Sequence, residues 1–415
     1  MSLDQACHPV KPQGDSADQM DVIMPKPITL LLLLCLLSGC TPPAELDQQL
    51  YIWQRQWRPS HAEALQQTRE TFSQLRVLAL QYHPQAGWSA ARPDLTLLRT
   101  DGRPLVAVVR LDGRLPKEQD EVIRKSRALL EHWRRAGLPL VGLELDHDAG
   151  TAQLSRYRQL LIALRQQLPK SIRLSITALP AWLDSPELPA LLGSVQQSVL
   201  QVHAVQPASE GLFDSIQARK WAERWSQSSQ TPFVLALPAY SVALLDNAGR
   251  RPLIEAEAPV DSRAPRRELR SDPHAMALLL RQLSEHPLPH LQGLIWFRLP
   301  LADDRRSWPL ATLLAVARGE ALQPQGELQV HRENDLSQLS LYNRGNLPWP
   351  LPARLQLPAS QCSAADGLRH YQLQRQPAQL LFIRRQPAEL RPGARLALGW
   401  ARCEEIDQGG WNAQP

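Results

Sequence analysis

Glu144, Asp146 and Asp148 stand at every second position of the run Val141-Gly142-Leu143-Glu144-Leu145-Asp146-His147-Asp148. Successive side chains of a β-strand alternate faces, so the three acids share one face, roughly 6–7 Å apart. Carboxylates on a buried face are costly unless paired or solvated, and crowded ones raise each other's proton affinity. One of them then stays protonated near neutral pH. Cleavage of a glycosidic bond needs such an acid beside the leaving oxygen and a second negative group near the anomeric carbon. Asp148, outermost, is the candidate acid and Asp146 its charged partner. The competing reading is a strand end that runs into a solvated loop.

The elements that must position these acids can be read from the alternation of apolar runs and amphipathic stretches. Strands are expected at Leu50–Gln54, Leu75–Leu80, Leu105–Leu111, Val141–Asp148, Arg173–Leu179, Ser198–His203, Pro232–Pro238 and Gly293–Arg298. Helices are expected at Ser60–Phe72, opened by a Ser60-x-x-Glu63 capping box, and at 117–137, stopped by Gly137. Further helices follow at Thr151–Leu168, Ile216–Ser226 and Ala311–Ala317. Eight near-continuous apolar strands separated by helical segments fit a (β/α)8 TIM-type barrel over 50–322. A doubly wound sheet uses the same alternation, but no Gly-x-Gly-x-x-Gly follows the first strand.

Barrel sites lie at strand C-terminal ends. Polar and aromatic residues gather there: Trp57, Gln81 to His83, Arg110, Asp112, Asp148, Trp182, His203, Tyr240 and Arg298. Tyr240 and Arg298 are candidates to bind hydroxyls or developing charge, or to serve internal hydrogen bonds. Strict alternation turns His147 away from the acids, as packing rather than as a base. Arg110 is expected to pair with the buried Glu144, which needs such a partner. No metal site, cofactor motif or Gly-x-Ser-x-Gly elbow is read.

The segment 241–273 is rich in Pro, Arg and Glu and loses periodicity. It reads either as a lid loop over the mouth or as a disordered insertion. After a linker at 323–326, short alternating strands broken by Asn-Arg-Gly-Asn and Pro-Gly turns predict a small C-terminal β-sandwich over 327–415. It could bind glycan, but packing against the barrel is the preferred role. Setting aside Cys7, Cys35 and Cys40, only Cys362 and Cys403 remain in the folded part, and in an oxidising compartment they are expected to pair.

With 415 residues, 43% hydrophobic and 21% charged, the chain is ordinary globular material. Its net charge of +5 is spread as arginines interleaved with acids, which gives no nucleic-acid footprint. Met24-Pro25-Lys26-Pro27, the apolar Ile28–Leu37 and Ser38-Gly39-Cys40 resemble a bacterial lipoprotein signal. That resemblance implies a signal peptide over 24–39, lipidation of Cys40 and a tether over 40–49. It points to membrane attachment at the periplasmic face of the outer membrane. Residues 1–23 read as an extension ahead of a start at Met24, with Met20 the other candidate.

Several of these pieces resemble known families. Gly142-x-Glu144-x-Asp146-x-Asp148 resembles the acidic fourth strand of family-18, chitinase-like glycoside hydrolases. Phe233–Tyr240 looks like their seventh strand and Gly293–Trp296 like their eighth. More closely, Tyr51-Ile52-Trp53-Gln54, Leu143–Asp148, Ser175–Leu183 and Ile295–Pro300 are similar to an uncharacterised bacterial family, domain of unknown function 3142. The resemblance implies Asp148 as acid, Asp146 as the orienting residue, Glu144 as the deeper acid and Trp296 as an aromatic floor under the sugar. Gln201 and His203 occupy the face where the sixth strand would carry a tyrosine, and Trp53 ends the first strand. The expected activity is polysaccharide binding or retaining hydrolysis. A non-catalytic glycan-binding or structural envelope protein is the alternative.

Overall fold

Runs of leucine, valine and alanine bounded by Gly, Pro or polar turns fold here as parallel strands, each returned to the sheet by a helix. The computed structural model describes residues 46–116, 118–203, 211–245, 253–255 and 264–414. The first eleven strands are β1 (Asp47–Ile52), β2 (Gln74–His83), β3 (Gly87–Ala90), β4 (Leu105–Leu111), β5 (Leu140–Asp146), β6 (Arg173–Ala178), β7 (Gln197–Gln201), β8 (Phe233–Pro238), β9 (Ser241–Leu245), β10 (Leu253–Glu255) and β11 (Arg266–Arg270). The last barrel strand is β12 (Leu291–Phe297). Its sheet runs β1-β12-β8-β7-β6-β5-β4-β2, and β1 also pairs with β2, so eight parallel strands close on themselves. The fold is the (β/α)8 barrel.

Helices cover the outside. Gln119–Arg135 buries Val122, Ser126, Leu130 and Trp133, one stripe at helical spacing, and Gly137 follows its end at φ 74°, where a side chain would strain the backbone. Ser60–Thr68 departs from expectation: Pro59 is its N-cap, Ser60 makes no capping bond, and Glu63 instead accepts from Gln67 at 3.0 Å. Two apolar shells result from strand alternation. One lies between strands and helices and includes Phe72, Trp133, Leu145, Trp182, Trp225 and Trp296. The other fills the barrel axis with Tyr51, Trp53, Leu78, Val108, Val199, Val234 and Ile295.

The segment after β8 is not a bare loop. Its described part is the antiparallel sheet β10-β9-β11, and Val242, Leu244 and Leu269 form a small core with Leu212. The arginine-rich β11 buries a single residue, Leu269, which hid it from a periodicity reading. Residues 246–252 and 256–263 lie outside the described residues.

Beyond the barrel come β13 (Gly326–Glu333), β14 (Leu336–Asn343), β15 (Trp349–Pro350), β16 (Arg354–Gly367), β17 (Tyr371–Gln376), β18 (Gln379–Arg384), β19 (Glu389–Leu390), β20 (Arg395–Ile406) and β21 (Asn412–Gln414). They form a separate antiparallel domain. The long β16 belongs to two sheets, pairing with β18 over Arg354–Pro358 and with β20 over Ala359–Gly367. Cys362 of β16 and Cys403 of β20 face each other and are disulfide-bonded. The domain meets the barrel where Arg391 donates to Asp304 O (3.1 Å) and Ser307 O (3.0 Å), and Thr312 donates to Asn346 O (2.5 Å). The signal segment and Cys40 lie outside the described residues.

Candidate active site

β5 aims its acids along the barrel axis at three depths, and each depth has its own partners. Glu144, fully buried, is ion-paired with Arg76 of β2, accepts from Tyr51 Oη at 2.5 Å and from Ser175 Oγ at 3.1 Å. Burial raises its carboxyl, and the Arg76 charge and the Tyr51 bond only partly offset that. Arg76, not Arg110, is therefore its partner. Register explains the correction: Val108 lies beside Glu144, and Arg110 lies beside Asp146.

Asp146, 1% exposed, accepts from Thr177 Oγ1 at 2.7 Å and from Arg110 Nη1 at 2.6 Å. Asp148 sits two residues past the end of β5, with 46% of its side chain exposed and Arg110 Nη2 at 3.2 Å. Partial burial and the Asp146 charge raise its carboxyl, against the pull of Arg110. Arg110 also holds Asp112 at 2.7 Å, so one guanidinium bridges three carboxylates. That cluster keeps Arg110 charged despite burial. His147 turns out of the barrel, as alternation requires. Its Nδ1 lies 2.9 Å from Leu111 O, its ring meets Tyr157 edge-on, and burial lowers its pKa.

Above the acids opens a cavity of about 390 Å³, within the roughly 300–1,000 Å³ of small-ligand sites. Asp146, Asp148, Trp53, Gln201, His203, Tyr240 and Arg298 all line it. Trp53 and Phe297 meet at 5.1 Å, Tyr240 and Phe297 at 5.4 Å, and His203 and Tyr240 at 5.9 Å, which gives one aromatic wall. Burial pushes His203 down to about 4. Arg298 is salt-bridged to Asp304 at 2.7 Å.

Trp296 does not join them. It is fully buried on the helix side of β12, where Nε1 donates to Gln48 Oε1 at 2.7 Å and the ring packs near Trp308. The next residue, Phe297, points to the axis and takes the wall position. Glu144 lies below the cavity and does not line it. Trp57 stacks on His61, and Trp182 donates to Ala149 O at 2.8 Å, so neither reaches the mouth. Sequence reasoning missed Tyr51, Thr177, Arg76 and Phe297 as parts of the site. For Tyr51, Arg76 and Phe297 the available signal was parity, within their own strands, with Trp53, Leu78 and Ile295, which face the axis. Among the described residues, no group of three His, Cys, Asp or Glu side chains forms a metal site.

A closed parallel barrel with its polar groups gathered at the C-terminal mouth defines a (β/α)8 barrel protein. Residues 101–302 match the family model described as a domain of unknown function, DUF3142, and residues 326–404 match a second one, DUF8456. Among solved structures, the chain is similar to the spore cortex-lytic enzyme SleL of Bacillus megaterium, at 11% identity and a TM-score of 0.50, over 67% of this chain and 75% of that one. SleL of Bacillus cereus gives 10% identity and a TM-score of 0.48, with 67% and 75% covered. A chitinase from Chromobacterium violaceum gives 13% and 0.47, with 66% and 98% covered. Likeness at this identity establishes the fold alone. No curated protein matches the sequence.

Proposed function

We propose that this chain is an envelope-tethered barrel that takes a polysaccharide into the mouth above β5 and cleaves it with Asp148 as general acid. One observation carries the reading: a half-exposed carboxyl with raised proton affinity stands at the rim of a cavity walled by Trp53, Tyr240 and Phe297. Flat aromatic surfaces suit the apolar faces of sugar rings, and a protonated carboxyl beside them can donate to a glycosidic oxygen. Asp146, oriented by Thr177 and Arg110, is the charged partner toward the anomeric carbon. Glu144 acts from below as part of the barrel's ion pair.

Asp148→Asn is expected to lower kcat/KM on a cleaved glycan by about 10²–10⁴-fold, with Kd unchanged. Wild-type turnover in that variant would sink the assignment. The acid works protonated, so the rate falls as pH rises through a carboxyl whose pKa stands above the ordinary value. Arg110→Gln removes the opposing cation and is expected to move that limb to higher pH.

A second reading is favoured by the Arg110 clamp, which holds Asp112, Asp146 and Asp148 together as hydrogen-bonding groups for sugar hydroxyls. In that non-catalytic barrel, wild type binds glycans and turns over none. The tether has its own test. Cys40→Ala is expected to abolish incorporation of labelled fatty acid and to release the protein into the soluble envelope fraction; unchanged membrane recovery counts against lipidation.

A further inference from the structure

The turn that follows β12 is held from two sides. Its hub is Asp304, whose carboxylate accepts from Arg306 N (2.9 Å), Ser307 N (3.2 Å), Ser307 Oγ (2.8 Å) and Arg298 Nη2 (2.7 Å). Arg298 lines the mouth, so this turn helps to set where its guanidinium stands. A second mouth residue depends on the same turn. Tyr240 pairs with Ser307 in an antiparallel bridge. Beside that bridge, Ser241 N donates to Arg306 O at 2.7 Å and Trp308 N to Ala239 O at 2.8 Å. One wall of the mouth therefore takes its geometry from residues 304–308.

The far side of the turn is gripped by the β-domain. Arg391 donates through Nη1 to Asp304 O at 3.1 Å and through Nη2 to Ser307 O at 3.0 Å. A planar guanidinium fork can hold two carbonyls at once, which a single ammonium on a flexible stem does less well. Arg391 is itself fixed by its own domain. Fully buried Asn343 donates through Nδ2 to Leu390 O at 2.8 Å, and its carbonyl accepts from Gly393 N at 2.8 Å. Those bonds bracket Arg391 in sequence. Thr312 also reaches the β-domain, through Asn346 O at 2.5 Å, without a hydrogen bond to the turn.

We propose that Arg391 is a positioning residue for the mouth: through the turn at 304–308, the β-domain holds Arg298 and Tyr240 in place. The β-domain is then part of the binding apparatus and not an appendage packed beside it. The consequence for a ligand rests on the mouth being the glycan site proposed above. The placement of the two side chains is tested without any ligand.

The test uses the full chain. Hydrogen exchange in Arg391→Ala is expected to run about tenfold faster at the amides of Arg306, Ser307, Trp308 and Ser241, with β5 and β6 unchanged. Thr312→Val, which cuts another bond between the domains, is expected to leave those amides at the wild-type rate. Arg391→Lys keeps the charge and part of the donor capacity, so it is expected to recover some of the protection. If the alanine variant lowers the thermal midpoint of the whole chain, Arg391→Lys against wild type becomes the comparison, with a smaller rise in the same amides. In the Asp148→Asn background, calorimetry with hexasaccharides of N-acetylglucosamine, glucose and galacturonic acid reads the mouth. A hexasaccharide that binds is expected to lose about three- to tenfold in affinity with Arg391→Ala and none with Thr312→Val. Unchanged exchange at those amides, or an equal response to Thr312→Val, overturns the positioning role whatever binds. Faster exchange with unchanged affinity for a bound hexasaccharide overturns the link to the mouth. Faster exchange with no hexasaccharide bound keeps Arg391 as the residue that places Arg298 and Tyr240, and removes the glycan reading instead.

Discussion

Arg76 and Glu144 put an ion pair inside a barrel, a space that bulky branched apolar side chains dominate in this fold. Both side chains are 1% exposed or less, and Tyr51, Ser175, Gln49 and Gln197 take up the remaining polar valences. Such a pair adds little net stability against an apolar replacement, but removing one partner strands a buried charge. Arg76→Ala is therefore expected to cost about 3–5 kcal/mol in urea unfolding. Arg76→Met with Glu144→Gln, which leaves no charge behind, should recover more than half of that loss. A double variant no better than Arg76→Ala would show that the pair's worth lies in specific geometry and not in charge balance. The same residues show what the sequence could and could not reveal at this scale. Alternation alone put Glu144, Asp146 and Asp148 on one face and turned His147 away. It could not say which arginine crosses the barrel to Glu144, because that depends on register between strands. Trp296 was placed by its resemblance to a sugar-stacking tryptophan, and parity within β12 overrules it: Ile295 and Phe297 face the axis, so Trp296 faces the helices.

At the scale of elements, closure of the barrel depends on β1 and β12 lying close enough for backbone contact. Gly293 permits that approach, since a β-carbon there would lie 2.4 Å from the backbone oxygen of Asp47. Gly293→Ala is expected to destabilise the fold by about 1–3 kcal/mol through a backbone shift. Gly150→Ala, where a β-carbon meets nothing within 4 Å and φ is −64°, serves as the neutral control. Equal midpoints for the two variants would mean that the β1–β12 seam tolerates more separation than this geometry allows. The parallel strands were legible because both their faces are buried, which leaves unbroken apolar runs such as Leu105-Val106-Ala107-Val108-Val109. The helix Pro273–Glu285 was hidden by its position beside the Pro- and Arg-rich segment, although Asp272 caps it through His274 N. The hairpin strand β3 and the short helices Leu95–Asp101 and Leu188–Leu192 are too brief to show a period.

At the scale of the molecule, barrel and β-domain keep separate apolar cores and meet through polar contacts that include the bonds of Arg391, Thr312 and Asn346 and the Arg270–Glu389 ion pair at 3.8 Å. The disulfide belongs wholly to the second core, bridging the two long strands β16 and β20 across a sequence separation of 41 residues. Closing a loop of that length contributes about 4 kcal/mol by restricting the unfolded chain. Calorimetry of Cys362→Ser/Cys403→Ser should therefore show a lowered midpoint for the β-domain alone, with the barrel transition near its original temperature. Independent cores predict two transitions, only one of which moves. A single transition that shifts as a whole would instead mean that the bonds at Arg391 and Thr312 couple the domains into one cooperative unit.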